Sequence, residues 1–163
     1  MTEQIYSRNA RKILQNKKQI ENSLGVNLSI KSGIVTIEGK PEDEQIALRA
    51  IEAINLGFSV AQALDLRHED FVLEIIGIKK IAKRKNLSQV RGRVIGQERK
   101  VLRTIEFLTN CEIVLHDNNV GIIGELKNVE RASYALKRII AGSKHANMYA
   151  WLELQTSREK QSF

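Results

Sequence analysis

The segment VRGRVIGQER, residues 90–99, places two glycines among three arginines near the middle of the chain. Apolar residues at helical spacing on both sides predict helices over 87–95 and 100–108, joined at Gly96. A helix N-terminus leaves backbone N–H groups unpaired and carries a partial positive charge, and glycine lets an anion reach the main chain. The segment is therefore typical of a phosphate-binding loop, although a plain helix-terminating turn would show the same glycine.

Positive charge is concentrated around this segment. The chain has a net charge of +7, while residues 79–103 alone contain ten lysines and arginines and a single acid, Glu98. A charge run by itself indicates no more than a solvated face. Glycines embedded in the run favour a surface that binds nucleic-acid phosphates.

The remaining composition narrows the class of protein. Cys111 is the single cysteine, which excludes an internal disulfide and a cysteine-based zinc site and favours a cytoplasmic location. No apolar run approaches the roughly 20 residues that span a bilayer, and the N-terminus has no apolar signal core. The histidines lack metal-ligand spacing and no catalytic constellation is present, so we expect no metal, no cofactor and no enzymatic activity. Cys111 is predicted to be a core thiol, and Glu98 and Glu106 to be surface residues.

An internal repeat organises the chain. Residues 20–57 align with residues 105–142 at an offset of 85 without a gap, and nine of the aligned positions are identical. Apolar character matches at many further positions, as at Leu28 and Ile113. We therefore predict two copies of one folding unit rather than a solenoid, which would need at least three short repeats.

The periodicity of the two copies predicts the element order β-α-α-β-β-α for each unit. In the first copy we predict helices over 10–24, 41–56 and 59–66, and strands over 26–30 and 34–38. In the second copy we predict strands over 71–76, 111–115 and 120–123, and helices over 87–95, 100–108, 126–141 and 147–154. The chain is thus predicted to be α+β, with two units packed together: a domain over 1–66, a domain over 67–154 and a flexible tail over 155–163.

The second copy resembles a type I KH RNA-binding domain. The hallmark of that domain is a GxxG loop between its first two helices, which clamps the backbone of about four nucleotides. Here the loop is Gly96-Gln97-Glu98-Arg99. The sequence is similar, more closely, to the Partner-of-Nob family of small-subunit ribosome assembly factors, whose archaeal form has two KH domains. The matching features are Arg91-Gly92-Arg93, Arg103-Thr104-Ile105-Glu106, the IIG sequence at 122–124, and Gly142-Ser143 followed by a histidine and a tyrosine.

Two departures from the family pattern concern the loop. The second loop glycine is replaced by Arg99, which either blocks close approach of RNA or exchanges a backbone contact for a charged one. In the first copy the repeat offset places residues 11–14 on the loop, and no glycine is present there. We therefore predict that the first unit is a degenerate KH-like domain that does not clamp RNA and docks on the second unit or on a protein partner.

The resemblance implies a function in ribosome assembly. It implies that the second unit binds single-stranded rRNA near the 3′ end of 16S rRNA, with the Nob-type endonuclease and the alpha subunit of archaeal initiation factor two as further partners. The predicted RNA-binding residues are Arg91, Gly92, Arg93, Gly96, Gln97, Glu98, Arg99, Lys100 and Arg103. By the same resemblance, bases would lie in an aliphatic groove lined by Val94, Ile95, Val101 and Ile113, which core packing explains equally well. The alternative is a protein-interaction adaptor whose basic face docks on an acidic protein partner.

Overall fold

The structure is a computed structural model that describes residues 2–83 and 86–161, so Arg84 and Lys85 of the basic run lie outside the described residues. The chain divides into two compact units, Met1–Phe71 and Val72–Phe163. The division falls five residues later than the predicted boundary after residue 66. Along the described ranges, no helix is both long enough and apolar enough to cross a membrane.

The first unit has the predicted element order. Its elements are β1 (Thr2–Tyr6), α1 (Ala10–Gln15), α2 (Lys17–Leu24), β2 (Asn27–Lys31), β3 (Ile34–Glu38), α3 (Pro41–Asn55) and α4 (Val60–Leu64), followed by a 3₁₀ turn at Asp65–Arg67. The three strands form an antiparallel sheet in the order β1-β3-β2. Strand β1 pairs along its whole length with β3, from Thr2 opposite Glu38 to Tyr6 opposite Ile34.

The single helix predicted over 10–24 is wrong, because the chain breaks at Asn16 between α1 and α2. The Asn16 side-chain amide donates a hydrogen bond of 2.8 Å to the Lys12 carbonyl. Such a short polar side chain competes with the regular backbone pattern and favours an interruption. The break lies beyond residues 11–14, which are helical in α1. The first unit therefore has no glycine loop at the aligned position, in agreement with the prediction.

The second unit repeats the same order with additional helices. Its elements are β4 (Phe71–Gly77), α5 (Ile78–Ala82), α6 (Leu87–Ile95), α7 (Lys100–Thr109), β5 (Glu112–His116), β6 (Asn119–Glu125), α8 (Leu126–Ala141) and α9 (His145–Gln161). The sheet order is β4-β6-β5, so β5 is an edge strand. The helices pack around a core that includes Ile105, Ile122 and Leu136, all at most 1% exposed.

The structure confirms the repeat. Strands β2 and β5, strands β3 and β6, and helices α3 and α8 each begin 85 residues apart. Glycine is required at the aligned positions 39 and 124 for the same reason, a close contact with the neighbouring strand region. A Cβ at Gly124 would lie 2.8 Å from the Cys111 sulfur, and one at Gly39 would lie 3.1 Å from the Val26 side chain, the residue that aligns with Cys111. Cys111 is buried in the core of the second unit, which confirms it as a core thiol, and this burial raises its pKa to about 11.

The flexible tail predicted from residue 155 is wrong as far as Gln161, because α9 continues to that residue. The apolar contacts of α9 come from its first half, where Met148 and Leu152 are buried. Its polar second half is held by an ion pair of 2.6 Å between Glu159 and Arg131 of α8. Ion pairs between helices leave no apolar periodicity in the sequence, so the pattern predicted an end at residue 154. Residues 162–163 lie outside the described residues.

Candidate nucleic-acid interface

The loop between α6 and α7 has a backbone that only glycine adopts readily at its first position. Gly96 has φ 74° and ψ 173°, a combination that is almost confined to glycine. A Cβ at this position would also lie 2.8 Å from the backbone nitrogen of Val101, in the first turn of α7. Gly96 therefore allows the loop to fold closely against the N-terminus of α7. This is the helix–loop–helix arrangement that the sequence predicted.

The rest of the loop is a 3₁₀ turn, Gln97–Arg99, with two further residues at positive φ. Glu98 has φ 53° and Arg99 has φ 62°, both in the left-handed region. Arg99 is followed by Lys100 in the right-handed helical region. Two N–H groups of this segment have partners within the chain, since Gly96 donates to the Gly92 carbonyl and Lys100 donates to the Gln97 carbonyl. The loop adjoins the positive end of α7, whose first turn contains no acid, and such a helix end favours a bound anion.

The predicted cations divide into two groups according to their exposure. Lys100 and Arg103 lie on the exposed face of α7 beside the loop, and Arg99 is also exposed. The Arg103 guanidinium donates a hydrogen bond to the Glu98 carbonyl and so supports the shape of the loop. Gln97 and Glu98 are exposed at the tip. These exposed residues surround the loop.

Arg91 and Arg93, by contrast, are half-buried and have partners within the second unit. Arg91 donates to the Asn118 side chain at 3.2 Å, in the turn between β5 and β6. Arg93 donates to the Ser143 carbonyl at 2.7 Å, and His145 Nε2 lies 2.8 Å from the Arg93 carbonyl. The two contacts of Arg93 attach α6 to the junction between α8 and α9. Gly92 faces solvent on α6, and a Cβ there would meet none of the described atoms within 4 Å.

The predicted aliphatic groove is mostly core. Val94, Val101 and Ile113 are at most 7% exposed and belong to the hydrophobic cluster of the second unit. Ile95 is half-buried and packs against that cluster. Of the four side chains, Ile95 is the one that is partly exposed, and it lies beside the loop.

Glu106 was predicted to be a surface residue, and the structure shows that this is wrong. Its carboxylate accepts a hydrogen bond of 3.1 Å from the backbone N–H of Ile113 on β5. Burial raises its pKa, while that hydrogen bond and the charge of Arg99 act in the opposite direction. The aligned Glu21 accepts from the Leu28 N–H at 2.8 Å in the first unit. The identity of Glu21 and Glu106 in the repeat was the signal for this shared role.

Arg99 reaches across to the same strand. Its guanidinium donates to the Ile113 carbonyl at 3.3 Å and lies 3.8 Å from the Glu106 carboxylate. Arg99, which replaces the second loop glycine, is therefore hydrogen-bonded to the protein although its side chain is partly in solvent. It connects the loop to the open edge of β5, a contact that no pattern in the sequence indicated.

Residues 72–157 match the family model described as eukaryotic type KH-domain, KH-domain type I, of the PNO1 second-domain type. The KH domain-containing protein MJ0443 of Methanocaldococcus jannaschii is 38% identical over 153 residues, which are 90% of this chain and 67% of that protein. The RNA-binding protein pno1 of Dictyostelium discoideum is 36% identical over 73% of this chain and 51% of its own length. The chain thus spans about half to two thirds of the length of these relatives. It belongs to the PNO1 family of type I KH proteins.

The fold agrees with a solved structure over its whole length. A chain of the a/eIF2alpha–aDim2p–rRNA complex from Pyrococcus horikoshii superposes with a TM-score of 0.84 at 29% identity, and the match covers 100% of this chain and 96% of that chain. That complex contains rRNA and an initiation factor subunit. The likeness extends over both KH-like units, including the first, which the family model does not cover.

Proposed function

We propose that this protein binds single-stranded rRNA through its second KH unit during assembly of the small ribosomal subunit, at a site near the 3′ end of 16S rRNA. The observation that carries the proposal is the Gly96 loop at the N-terminus of α7, with exposed cations around it. Phosphate contacts of this kind fix the position of the RNA backbone and carry no sequence information themselves. No step of the proposed function is catalytic.

The distribution of charge supports binding by the second unit rather than the first. The segment Met1–Phe71 has 9 basic and 10 acidic residues, whereas Val72–Phe163 has 17 basic and 9 acidic residues. An excess of cations on one unit raises the local concentration of a polyanion and its rate of association. A binding protein that acts in ribosome assembly would also meet protein partners. We propose the alpha subunit of initiation factor two and the Nob-type endonuclease for that role, in the cytoplasm.

A salt-dependent titration with fluorescein-labelled single-stranded RNA tests the proposal. Lys100→Glu with Arg103→Glu should weaken binding strongly and lower the slope of log affinity against log salt by roughly one for each phosphate that the variant no longer neutralises. The matched control is Arg11→Glu with Lys18→Glu, which makes the same change of charge on exposed positions of α1 and α2 in the first unit. The control should keep affinity within a few-fold. Arg93 is left out because its hydrogen bond to Ser143 is structural, and Lys100→Glu is also measured alone because Arg103 donates to the Glu98 carbonyl of the loop.

The outcome also separates this function from the adaptor alternative. Equal losses in both double variants would show that binding follows overall charge and not the loop. Failure of the unmodified protein to bind RNA at physiological salt, together with binding to acidic polypeptides, would replace the proposal by the adaptor function.

A further inference from the structure

The first two helices of the first unit begin with cations, where a helix favours acids. The N-terminal end of a helix carries a partial positive charge, so acids stabilise it and cations do not. Helix α3 follows this rule, since its first turn contains three acids at positions 42–44. The first turns of α1 and α2 contain no acid, and no side-chain hydrogen bond caps either helix. Arg11 lies in the first turn of α1, and Lys17 and Lys18 open α2.

These three cations have no partner within the part of the chain that the structure describes. None of them forms an ion pair or a side-chain hydrogen bond there. Glu21 is the nearest acid in sequence, and its carboxylate already accepts from the Leu28 N–H at 2.8 Å. Lys12 differs from the three, because it is half-buried and its ammonium donates to the Phe58 carbonyl at 3.1 Å. Lys12 therefore supports the fold, whereas the other three add positive charge that the fold does not use.

An exposed leucine lies among the cations. Leu14 is 58% exposed and lies one helical turn after Arg11, on the same exposed face of α1. Lys17 and Lys18 follow directly after the break at Asn16. Arg11, Leu14, Lys17 and Lys18 are called the α1–α2 surface below. A ligand that matches this surface carries negative charge next to an apolar group.

The charge of the rest of the first unit favours a short acidic segment of a protein over RNA as that ligand. Residues 7–37 have six bases and one acid, whereas residues 38–71 have three bases and eight acids. Exposed charges are screened beyond about 8 Å at physiological salt. A short segment on the α1–α2 surface therefore meets mainly cations, while a long polyanion also meets the acidic remainder. Residues 11–18 also contain no glycine that would let a phosphate reach the main chain, as Gly96 does in the second unit.

We propose that the α1–α2 surface binds an acidic segment of a partner protein, with carboxylates on Arg11, Lys17 and Lys18 and an apolar side chain on Leu14. The inference is independent of RNA binding by the second unit. Exposed charge pairs contribute more to the rate and specificity of association than to affinity. Such a segment therefore binds weakly by itself and strengthens a complex in which the partner makes further contacts.

Fluorescence anisotropy of labelled synthetic peptides at physiological salt tests the proposal. The probe is a short peptide with two glutamates for each leucine. Two comparison peptides replace either the glutamates by glutamine or the leucines by serine. Unmodified protein should bind the probe and should bind both comparison peptides more weakly, the glutamine peptide most weakly of all. Because this comparison changes the peptide alone, it does not depend on whether a protein variant folds.

Arg11→Glu with Lys18→Glu assigns binding to the α1–α2 surface. This double variant should bind the probe about tenfold more weakly, because each reversal turns an attraction into a repulsion. It should also unfold at a higher urea concentration, since the new glutamates lie in the first turns of α1 and α2. Far-ultraviolet circular dichroism measures that change. Unfolding at a lower urea concentration would mean that the cations serve the fold, which contradicts the proposal.

Two further variants separate net charge from the apolar contact. The matched control Lys40→Glu with Arg67→Glu makes the same change of charge at exposed positions outside the surface and should keep the probe affinity within a few-fold. Leu14→Ala leaves the charge unchanged and keeps a good helix former in α1. It should weaken binding of the probe about threefold and leave binding of the serine peptide unchanged, because apolar area is lost only against leucine.

RNA titrations of the same variants separate this inference from the function of the second unit. Lys100→Glu should lose RNA binding and keep probe binding, and Arg11→Glu with Lys18→Glu should do the reverse. No probe binding by a protein that still binds RNA would overturn this inference alone. Equal probe affinity of the Arg11 double variant and the Lys40 double variant would show that net charge, and not the α1–α2 surface, determines binding. Loss of RNA binding in the Arg11 double variant would make the surface an RNA contact instead of a protein contact.

Discussion

The loop backbone can be tested by comparing a substitution at Gly96, in the loop, with one at Gly92, in α6. Gly96→Ala has to place a side chain at φ 74° and ψ 173°, which costs about 1–3 kcal/mol for a residue other than glycine. Its Cβ would also lie 2.8 Å from the Val101 nitrogen, a main-chain atom that cannot turn aside. Overpacking of this kind costs about 1–3 kcal/mol. Because the loop can relax in part, we expect a total loss of about 2–4 kcal/mol in the free energy of unfolding.

Gly92→Ala is the matched control, since it makes the same chemical change four residues away. Gly92 lies inside α6, and a Cβ there meets no described atom within 4 Å. Replacing an exposed glycine in a helix by alanine should stabilise the protein by about 0.5–1 kcal/mol. The two variants should therefore move stability in opposite directions.

Fluorescence of Trp151 during urea unfolding gives the measurement. Trp151 is the single tryptophan of the chain and lies on α9, where its ring packs 4.5 Å from that of Tyr134. The signal therefore reports on the second unit, whatever the stability of the first. A Gly96→Ala protein that unfolds at the same urea concentration as the unmodified protein would refute the loop geometry described above.

Two further predictions concern contacts outside the loop. Glu106→Ala should lower the free energy of unfolding of the second unit by about 1–3 kcal/mol, because it leaves the Ile113 N–H without its acceptor. Glu21→Ala should have the same effect in the first unit. Urea unfolding followed by far-ultraviolet circular dichroism measures both losses, and no change in either variant would contradict the shared role of these glutamates. Leu152→Ala removes a side chain of α9 that is 1% exposed and should cost about 2–5 kcal/mol by the same assay, whereas a loss below about 1 kcal/mol would mean that α9 does not pack on the core.

The sequence predicted most of the second unit because its elements carry strong apolar periodicity. Helix α6 and helix α8 begin and end at the predicted residues, and Gly96 lies between α6 and α7 as expected. Strand β1 was not placed in advance, although the unit order required it. Its sequence TEQIY has no buried residue, and it is held by pairing with β3. Pairing of backbone groups leaves no trace in side-chain hydropathy.

The position of the loop was predicted, but the contacts of the cations around it were not. A basic run shows where cations are, whereas their roles depend on partners that are distant in sequence. Arg93 contacts a carbonyl 50 residues away, and Arg99 contacts one 14 residues away on β5. Both were predicted as phosphate ligands because sequence spacing cannot distinguish an exposed cation from one that is folded back. The structure leaves Lys100 and Arg103 as the exposed cations of α7 beside the loop.

The two copies of the unit separate what maintains the fold from what serves a ligand. Both copies share the close-packed glycine of the hairpin and the glutamate that holds the neighbouring strand. Only the second copy has Gly96 and an arginine that reaches the strand edge. Since the first copy folds with Leu14 in place of that arginine, stability does not explain why Arg99 occupies a strained position. Strain that the fold does not need is expected at binding sites. The difference between the copies therefore associates the strained loop at Gly96–Arg99 with the function of the second unit and not with the stability of the fold.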